Sequence, residues 1–162
     1  MVNELRNKRV LVTGAANGIG MASAMMFREL GARVVGLDLK ASENPFPILK
    51  CDLNLETEIV QAVSSAASLL GGIDILVNNA GIMQESPIES ISAEHIDRHF
   101  AVNVRGTILV TREALRHLGE GSRIINIASE LAYLGRANAS VYCATKGAIL
   151  GLTRAWAREL AP

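Results

Sequence analysis

Short apolar runs alternate along this chain with longer stretches in which apolar residues recur every three or four positions. The short runs are typical of strands buried on both faces, and the longer stretches are typical of amphipathic helices. We predict strands at residues 9–13, 33–37, 48–51, 73–77 and 123–128, and helices at residues 18–30, 55–70, 93–117 and 138–160. Because strands and helices alternate, the pattern predicts βαβ units that build one parallel α/β sheet.

Two segments between these elements are polar and contain proline, so residues 41–47 and residues 82–92 are predicted to be loops. The chain has no internal repeat and no low-complexity linker. A length of 162 residues suits one domain with a sizeable core, which we predict to span residues 1–162.

Three glycines stand between the first predicted strand and the first predicted helix, in the stretch T-G-A-A-N-G-I-G of residues 13–20. Glycine is needed where the backbone takes a positive φ or where a ligand presses against it, and amides at a helix start bind phosphate groups. The spacing, GxxxGxG, differs from the GxGxxG of the general dinucleotide fingerprint. The stretch is therefore a candidate pyrophosphate site, although it would also serve as an ordinary turn.

An acidic residue, Asp38, ends the second predicted strand, eighteen residues after Gly20. A carboxylate at about that distance can accept both ribose hydroxyls of NAD and repels the 2′-phosphate of NADP. Neither Ala16 nor Asn17 is basic, and Lys40 is the only nearby cation in the sequence. The pattern favours NAD over NADP, while a carboxylate in a solvated loop is the alternative.

Tyr142 and Lys146 are four residues apart in the last predicted helix, so both side chains project from one face. A neighbouring ammonium favours the phenolate form of a tyrosine, which makes Tyr142 a candidate acid and base. Ser129 follows the last predicted strand, at the edge where open α/β sheets bind ligands. A tyrosine beside a solvated lysine is common on helices. The pair therefore indicates catalysis only in combination with the glycine turn and Asp38.

Composition narrows the classes of function. Sixteen basic residues balance sixteen acidic ones without a basic cluster, which argues against nucleic-acid binding. No apolar run approaches the roughly 18 residues of a membrane span, so no membrane partner is expected. Cys51 and Cys143 have no CxxC partner and no nearby histidine, so we expect reduced thiols in a cytoplasmic protein, with no metal site.

Taken together, these stretches resemble the classical short-chain dehydrogenase/reductase family. The matching residues occur in family order along the whole chain: the glycine turn of residues 13–20, Asp38, Cys51-Asp52-Leu53, Asn78-Asn79-Ala80-Gly81, Asn103, Ser129, and Tyr142 to Lys146. The resemblance implies a Rossmann-type doubly wound parallel sheet, with strand order 3-2-1-4-5 and helices on both faces. It also implies an NAD-dependent oxidoreductase that interconverts a secondary alcohol and a ketone by hydride transfer.

The resemblance implies a role for each candidate catalytic residue. Tyr142 would exchange the proton at the substrate oxygen, and Ser129 would hold that oxygen by a hydrogen bond. Lys146 would bind the nicotinamide ribose and favour the phenolate of Tyr142. Asn103 would distort its helix and hold a water that links Lys146 to solvent, although a polar residue bonded to helix backbone is the alternative there.

For NAD, the resemblance implies contacts from the adenine to the nicotinamide. Asp38 would hold the adenosine ribose, and Asp52 and Leu53 would line the adenine. The pyrophosphate would lie on Gly14, Asn17, Gly18, Ile19 and Gly20, and the second ribose on Asn79, Ala80, Gly81, Tyr142 and Lys146. The small-molecule alcohol or ketone would meet four side chains: Met83, Gln84, Glu130 and Leu131.

Family members assemble through two helices that correspond here to residues 93–117 and 138–160, so the resemblance implies a homodimer or homotetramer. They also continue beyond the position that corresponds to Pro162. We therefore expect this chain to be a fragment or incomplete, or a partner to cover the strand at residues 123–128, which would otherwise be an exposed apolar edge.

Two functions from different classes stay open. One is the oxidoreductase, whose four candidate catalytic residues are all present. The other is a cofactor-binding module without turnover, because the segment that covers the substrate in the family is absent. A sugar epimerase or dehydratase of the extended branch also uses Tyr-x-x-x-Lys, but the GxxxGxG spacing disfavours it.

Overall fold

The computed structural model describes residues 5–40 and 45–161, so most of the predicted loop at residues 41–47 lies outside the described residues. The strands are β1 (Arg9–Thr13), β2 (Arg33–Asp38), β3 (Ile48–Lys50), β4 (Ile73–Asn78) and β5 (Leu118–Asn126). The helices are α1 (Gly18–Glu29), α2 (Glu56–Leu70), α3 (Ala93–Phe100), α4 (Thr107–Ala114), α5 (Leu131–Leu134) and α6 (Ser140–Glu159).

The strands form one parallel sheet in the order β3-β2-β1-β4-β5. This confirms the predicted doubly wound sheet and its strand order. The chain reverses direction across the sheet between β3 and β4, so β1 and β4 are neighbours although a long stretch of sequence separates them. Open α/β sheets bind ligands at such a reversal, outside the carboxyl ends of the strands.

The residues of β1 alternate between two apolar cores, one on each face of the sheet. Val10 and Val12 pack in the core that contains Ala24 of α1. Leu11 packs in the other core, with residues of α2 and Val110 of α4. The helices after β1 and after β4 therefore lie on opposite faces, which opens a crevice between the two connections.

The predicted helix at residues 93–117 consists of three consecutive segments: α3, a π-helical segment at Ala101–Gly106, and α4. The distortion expected around Asn103 is therefore present, since that residue lies within the π-helical segment. The helix ends earlier than predicted, at Ala114, because β5 begins at Leu118.

Two further elements differ from the sequence prediction. Strand β5 runs from Leu118 to Asn126 instead of over residues 123–128, and it pairs irregularly with β4, with a register shift between Ile73 and Ile75. Helix α6 begins at Ser140, because Asn138 has a φ of 63°, which a right-handed helix excludes. The short helix α5 and a 3₁₀ turn at Ile88–Ser90 lie in stretches for which the sequence predicts no element.

At the amino-terminal edge of the sheet, Arg9 of β1 and Asp74 of β4 form a two-point ion pair. Arg9 Nε and Nη2 donate to the two carboxylate oxygens at 2.9 and 2.6 Å. The backbone N–H of Arg9 adds a third bond at 2.8 Å, and Arg9 Nη1 donates to Gly71 O after α2. The hydrogen bond from the Arg9 side chain is the main reason why the pKa of Asp74 is lowered to about 2.

We expect Asp74→Asn to lower the free energy of unfolding by about 1–2 kcal/mol near pH 5, allowing for solvent screening of a pair that is partly exposed. A carboxylate whose pKa falls on folding stabilises the folded chain above its ordinary pKa, and that stabilisation is lost as the pH falls from about 4 to about 2. Urea unfolding should show that the difference in unfolding free energy between Asp74→Asn and the parent chain is about half as large near pH 3 as near pH 5. Asp97→Asn, on the exposed face of α3, is the matched control, and a gap for Asp74→Asn that does not change with pH would contradict the prediction.

Candidate functional site

A cleft of about 500 Å³ opens at the carboxyl ends of the strands, at the reversal of strand order. Loops after β1, β2, β3 and β4 line it, together with the helical segments around residue 100. Most of the predicted cofactor residues meet there: Gly14, Asn17, Gly18, Ile19, Asp38, Asp52, Leu53, Asn79, Ala80 and Gly81. Residues from four separate loops are thus brought to one crevice.

Helix α1 presents unpaired backbone amides at this cleft. Asn17 precedes the helix, and its side chain forms no capping hydrogen bond. The first N–H groups of a helix have no partner within the helix and carry its positive dipole end. Because Asn17, Gly18 and Ile19 line the cleft, this end of α1 fits an anionic group such as a diphosphate.

Hydrogen bonds join the glycine turn to the residues that follow β4. Thr13 Oγ1 accepts the N–H groups of Asn79 and Ala80, each at 3.0 Å. Asn79 Nδ2 donates in return to Thr13 O at 2.9 Å and to Gly14 O at 3.1 Å. Gly20 lies beneath this junction, where a Cβ would stand 2.1 Å from Gly14 O. The two loops therefore form one wall of the cleft with no room for a larger residue at Gly20.

Asp38 stands at the rim of the cleft and is already part of the turn. Its Oδ2 accepts the backbone N–H of Ala16 at 3.0 Å, and its Oδ1 lies 3.4 Å from the N–H of Lys40. A carboxylate has more acceptor positions than these two bonds use. Asp38 is therefore oriented by the glycine turn and keeps the capacity to accept hydroxyl groups from the cleft.

The loop after β3 is ordered by its own hydrogen bonds. Asp52 Oδ1 accepts from the backbone N–H and from Nδ2 of Asn54, at 2.9 and 2.8 Å. Its own N–H donates to Glu58 Oε2 at 2.8 Å. Leu53, 7% exposed, belongs to the apolar core and lines the cleft as well. This end of the cleft thus combines an apolar wall with polar edges.

Cys51 lines the same end of the cleft and is buried. Burial, followed by the nearby carboxylates of Glu58 and Asp52, raises the pKa of its thiol to about 12. Near pH 8 only about one thiol in 10⁴ would be ionised, and the thiolate is the reactive form.

We therefore expect Cys51 to resist thiol reagents in the folded chain. The test uses Cys143→Ser, which removes the other cysteine. A colorimetric disulfide reagent near pH 8 should label less than a tenth of Cys51 in the folded variant over an hour, and all of it in concentrated urea. Rapid labelling without urea would contradict the burial and the charges described.

Lys146 of α6 is 6% exposed, and its ammonium donates to the backbone oxygen of Ile127 at 2.7 Å. The Nζ atom lies 5.8 Å from the centre of the Tyr142 ring, as the spacing of four residues on one helix face requires. Burial lowers the pKa of Lys146. A cation is thus held in a fixed position beside a half-buried phenol.

Asn103 is buried in the π-helical segment and is bonded on three sides. Its Oδ1 accepts the N–H of Ile82 at 2.8 Å, and its Nδ2 donates to Ile82 O at 2.9 Å and to Thr145 Oγ1 at 3.0 Å. A Cβ on Gly81 would lie 3.3 Å from Asn103 Oδ1 and 3.7 Å from Lys146 Nζ. Gly81, which lines the cleft, therefore lies next to both Asn103 and Lys146.

Ser129 lies beyond the end of β5, two residues after Ile127. Its hydroxyl accepts the N–H of Leu131 at 3.2 Å and donates to Glu130 Oε2 at 3.3 Å. Within the described ranges it forms no hydrogen bond with Tyr142. The structure thus places Asn103 and Lys146 beside Gly81 and Tyr142 beside Lys146, while Ser129 lies in the loop that follows β5.

Several residues of the cleft wall are not assigned by the sequence reasoning. Thr13 joins the glycine turn to the loop after β4. Its position directly before the glycines could have indicated that it belongs to the cleft wall. Arg98 and Val102 line the cleft from the helix that carries Asn103. They are four residues apart, so helical periodicity would place them on one face. Asn54 and Ile82 carry no comparable signal, because only the folded loops bring them to the cleft.

The described part of the chain contains no group of three or more histidine, cysteine, aspartate or glutamate residues arranged to hold a metal ion. Nor does it contain a helix with the length and apolar character that a membrane crossing requires.

Both the sequence and the fold of this chain are similar to those of known proteins. The family model described as short chain dehydrogenase matches residues 8–162. Sorbitol dehydrogenase from Cereibacter sphaeroides is 38% identical to this chain in an alignment that covers 93% of this chain and 63% of that protein. A short chain dehydrogenase from Burkholderia cenocepacia in complex with NADP is 37% identical, with a TM-score of 0.92, over 98% of this chain and 70% of that chain.

A third match is the 3-ketoacyl-(acyl-carrier-protein) reductase from Brucella melitensis complexed with NADH. It is 36% identical, with a TM-score of 0.92, over 98% of this chain and 72% of that chain. This chain therefore spans roughly two thirds of the length of the proteins that it matches.

Proposed function

Because this chain belongs to the short chain dehydrogenase family of oxidoreductases, we propose that it binds NAD and interconverts a secondary alcohol and a ketone, with Tyr142 as acid and base. The observation that carries this proposal is the Lys146 ammonium, which is held 5.8 Å from the centre of the Tyr142 ring and next to Gly81 of the cleft. A buried cation beside a phenol favours the phenolate and so makes the tyrosine a usable proton acceptor.

The residues of the cleft fit a dinucleotide. The amides at the start of α1 would bind the pyrophosphate, and Gly14 and Gly20 let the glycine turn approach the end of β4 closely enough to form the wall beside it. Asp38 would accept the hydroxyls of the adenosine ribose, and Asp52 and Leu53 would line the adenine. The nicotinamide, when bound, supplies the hydride chemistry.

The chain's own residues then have distinct tasks. Tyr142 would exchange the proton at the substrate oxygen, and the Ser129 hydroxyl would hold that oxygen by a hydrogen bond. Lys146 would bind the second ribose and keep Tyr142 in its reactive form. Asn103 would hold the backbone of Ile82 in the loop that follows β4. A water at Asn103 would link Lys146 to solvent.

The preference for NAD rests on Asp38. Its carboxylate is held at the rim of the cleft by Ala16, so a 2′-phosphate would face a negative charge that cannot easily move away. The matched proteins differ in this respect, since one solved structure holds NADP and another holds NADH. The proposed preference for NAD over NADP is therefore based on the residues of this cleft and not on the matched proteins.

The test is a fluorescence titration of the chain with NADH and, separately, with NADPH. We expect NADH to bind at least about tenfold more tightly, which is about 1.4 kcal/mol. Asp38→Ala should reduce that ratio to about one, whereas Asp97→Asn, a carboxylate outside the cleft, should leave it unchanged. Equal binding of both by the parent chain would refute the NAD preference, and no binding of either by a folded chain would refute the cofactor site.

The alternative is a cofactor-binding module without turnover. It is supported by the cleft, whose lining includes most of the residues that would hold a dinucleotide but neither Ser129 nor Tyr142. The two functions separate in one assay, in which NADH oxidation is followed with a panel of ketones and ketoses. Binding with turnover supports the enzyme, and binding without turnover of any ketone supports the module.

We extend the proposal to assembly and location. A homodimer or homotetramer would form through α3, α4 and α6, and the exposed Phe100 and Ile108 on the first two segments support this arrangement. Light scattering of the chain would give its mass directly, and a monomer at all concentrations would contradict it. A cytoplasmic location is proposed from the two isolated cysteines, both of which are free thiols.

A further inference from the structure

In the segment of residues 82–86, which follows β4, the backbone of every second residue forms a hydrogen bond to another part of the chain. Asn103 binds both the N–H and the carbonyl of Ile82. The N–H of Gln84 donates to Nε2 of His99 at 3.1 Å. The N–H of Ser86 donates to the carbonyl of Asn138 at 2.8 Å. Three attachments thus hold one segment of backbone, and the middle attachment is a histidine ring.

His99 is 0% exposed, and both of its ring nitrogens are occupied. Nε2 is an acceptor, because a backbone N–H points at it. Nδ1 lies 2.8 Å from the carbonyl oxygen of His95, one turn earlier in α3, and a carbonyl can only accept. The ring must therefore be neutral and must carry its hydrogen on Nδ1.

The other neutral tautomer, with its hydrogen on Nε2, does not fit this arrangement. That nitrogen would then point an N–H at the N–H of Gln84, so the attachment would be lost and two donors would face each other. The position of one hydrogen on the ring therefore decides whether Gln84 is held.

We propose that His99 is a positioning residue whose neutral, Nδ1-protonated ring holds the segment of residues 82–86 against the site. This segment continues from Gly81, which borders both Lys146 and Asn103. Its position decides where Met83 and Gln84 stand relative to a substrate, and that consequence rests on the proposed function. The attachment itself does not depend on it.

The charged groups around His99 leave it without an ionic partner among the described residues. On its own helix the nearest titratable ring is that of His95, with centroids 4.4 Å apart. In the attached segment, Glu85 is paired with Arg136 at 2.8 Å. From α6, which packs on this helix, Lys146 is bound to Ile127. The other titratable groups at that end of α6 are Tyr142 and Cys143, and neither bonds to His99.

The test is nuclear magnetic resonance of the ¹⁵N-labelled chain without any ligand. The ring nitrogens of His99 should report the Nδ1–H tautomer, which is the less common one in solution. The Gln84 amide should exchange with solvent at least about tenfold more slowly than in His99→Phe, which keeps an aromatic ring but offers no acceptor. His99→Gln, whose side chain can accept at a similar position, should restore part of the protection.

His95→Phe is the matched control, since it changes a histidine one turn away that is not bonded to the segment, and it should leave Gln84 protected. An Nε2–H tautomer in the parent chain, or a parent Gln84 amide that exchanges as fast as an amide of an unfolded chain, would overturn the proposal even if His99→Phe fails to fold. Cofactor binding is measured separately, so neither result is confused with failure of the proposed oxidoreductase.

Discussion

Turnover of a ketone by this chain is expected to fall by about 10²–10⁴-fold in Tyr142→Phe, which is the range that a positioned acid and base contributes. Phenylalanine keeps the ring beside Lys146 but has no proton to exchange. Affinity for NADH should fall far less, by no more than about fivefold, because Tyr142 would supply one contact to the second ribose and the rest of the cleft is built from other loops. The measurement is kcat for NADH oxidation with the best ketone from the panel, together with an NADH titration of the same variant.

Tyr133 provides the matched control, since the chain has only two tyrosines. It lies on α5 and is 69% exposed. Tyr133→Phe makes the same chemical change and should leave kcat within about twofold of the parent. Equal activity of Tyr142→Phe and the parent chain would remove Tyr142 from the mechanism. A large loss in Tyr133→Phe would move the catalytic assignment to α5.

The environment of Lys146 explains why the effect should concentrate on one tyrosine. A lysine on a helix surface would be solvated and mobile, and its charge would be screened. Lys146 is instead buried and bonded to Ile127, whose N–H is bonded to Asn78 at the end of β4. Its ammonium is therefore placed by the sheet, and its effect on Tyr142 does not depend on the flexibility of a surface side chain.

The fold could be predicted well because its strongest signals are local. The runs at β1, β2 and β4 consist of apolar residues bounded by turns, and their predicted bounds agree with the structure to within a residue. The order of the strands came from the family resemblance, since periodicity alone does not specify neighbours. The start of β5 was missed because Gly119 and Gly121 suggest a turn in the sequence.

The candidate site was predictable only where a residue type and a position carry the chemistry. Glycines after a strand and a tyrosine four residues before a lysine are patterns of that kind. The partners of Asn103 and His99 are not, because Ile82 and Gln84 contribute backbone groups that any residue would offer. Contacts of this sort depend on the path of the chain in space, so the sequence gives no local sign of them.

Gly20→Ala should have the other large effect, because it adds one methyl group where the structure has no space. A Cβ there would stand 2.1 Å from Gly14 O and 2.4 Å from Asn79 Nδ2. Gly14 O belongs to the backbone of the turn, and Asn79 Nδ2 joins that turn to β4, so neither can move without breaking the junction. We expect the free energy of unfolding to fall by about 1–3 kcal/mol and NADH affinity to fall at least about tenfold.

Gly151→Ala separates this effect from the general cost or gain of alanine in a helix. Gly151 is also helical, but a Cβ there would have no heavy atom within 4 Å. That variant should gain up to about 1 kcal/mol, as alanine usually does over glycine in a helix, with unchanged NADH affinity. Urea unfolding and NADH titration of both variants decide the matter. If Gly20→Ala matched Gly151→Ala in both measurements, the close approach of α1 to the end of β4 would not be what shapes the cofactor cleft.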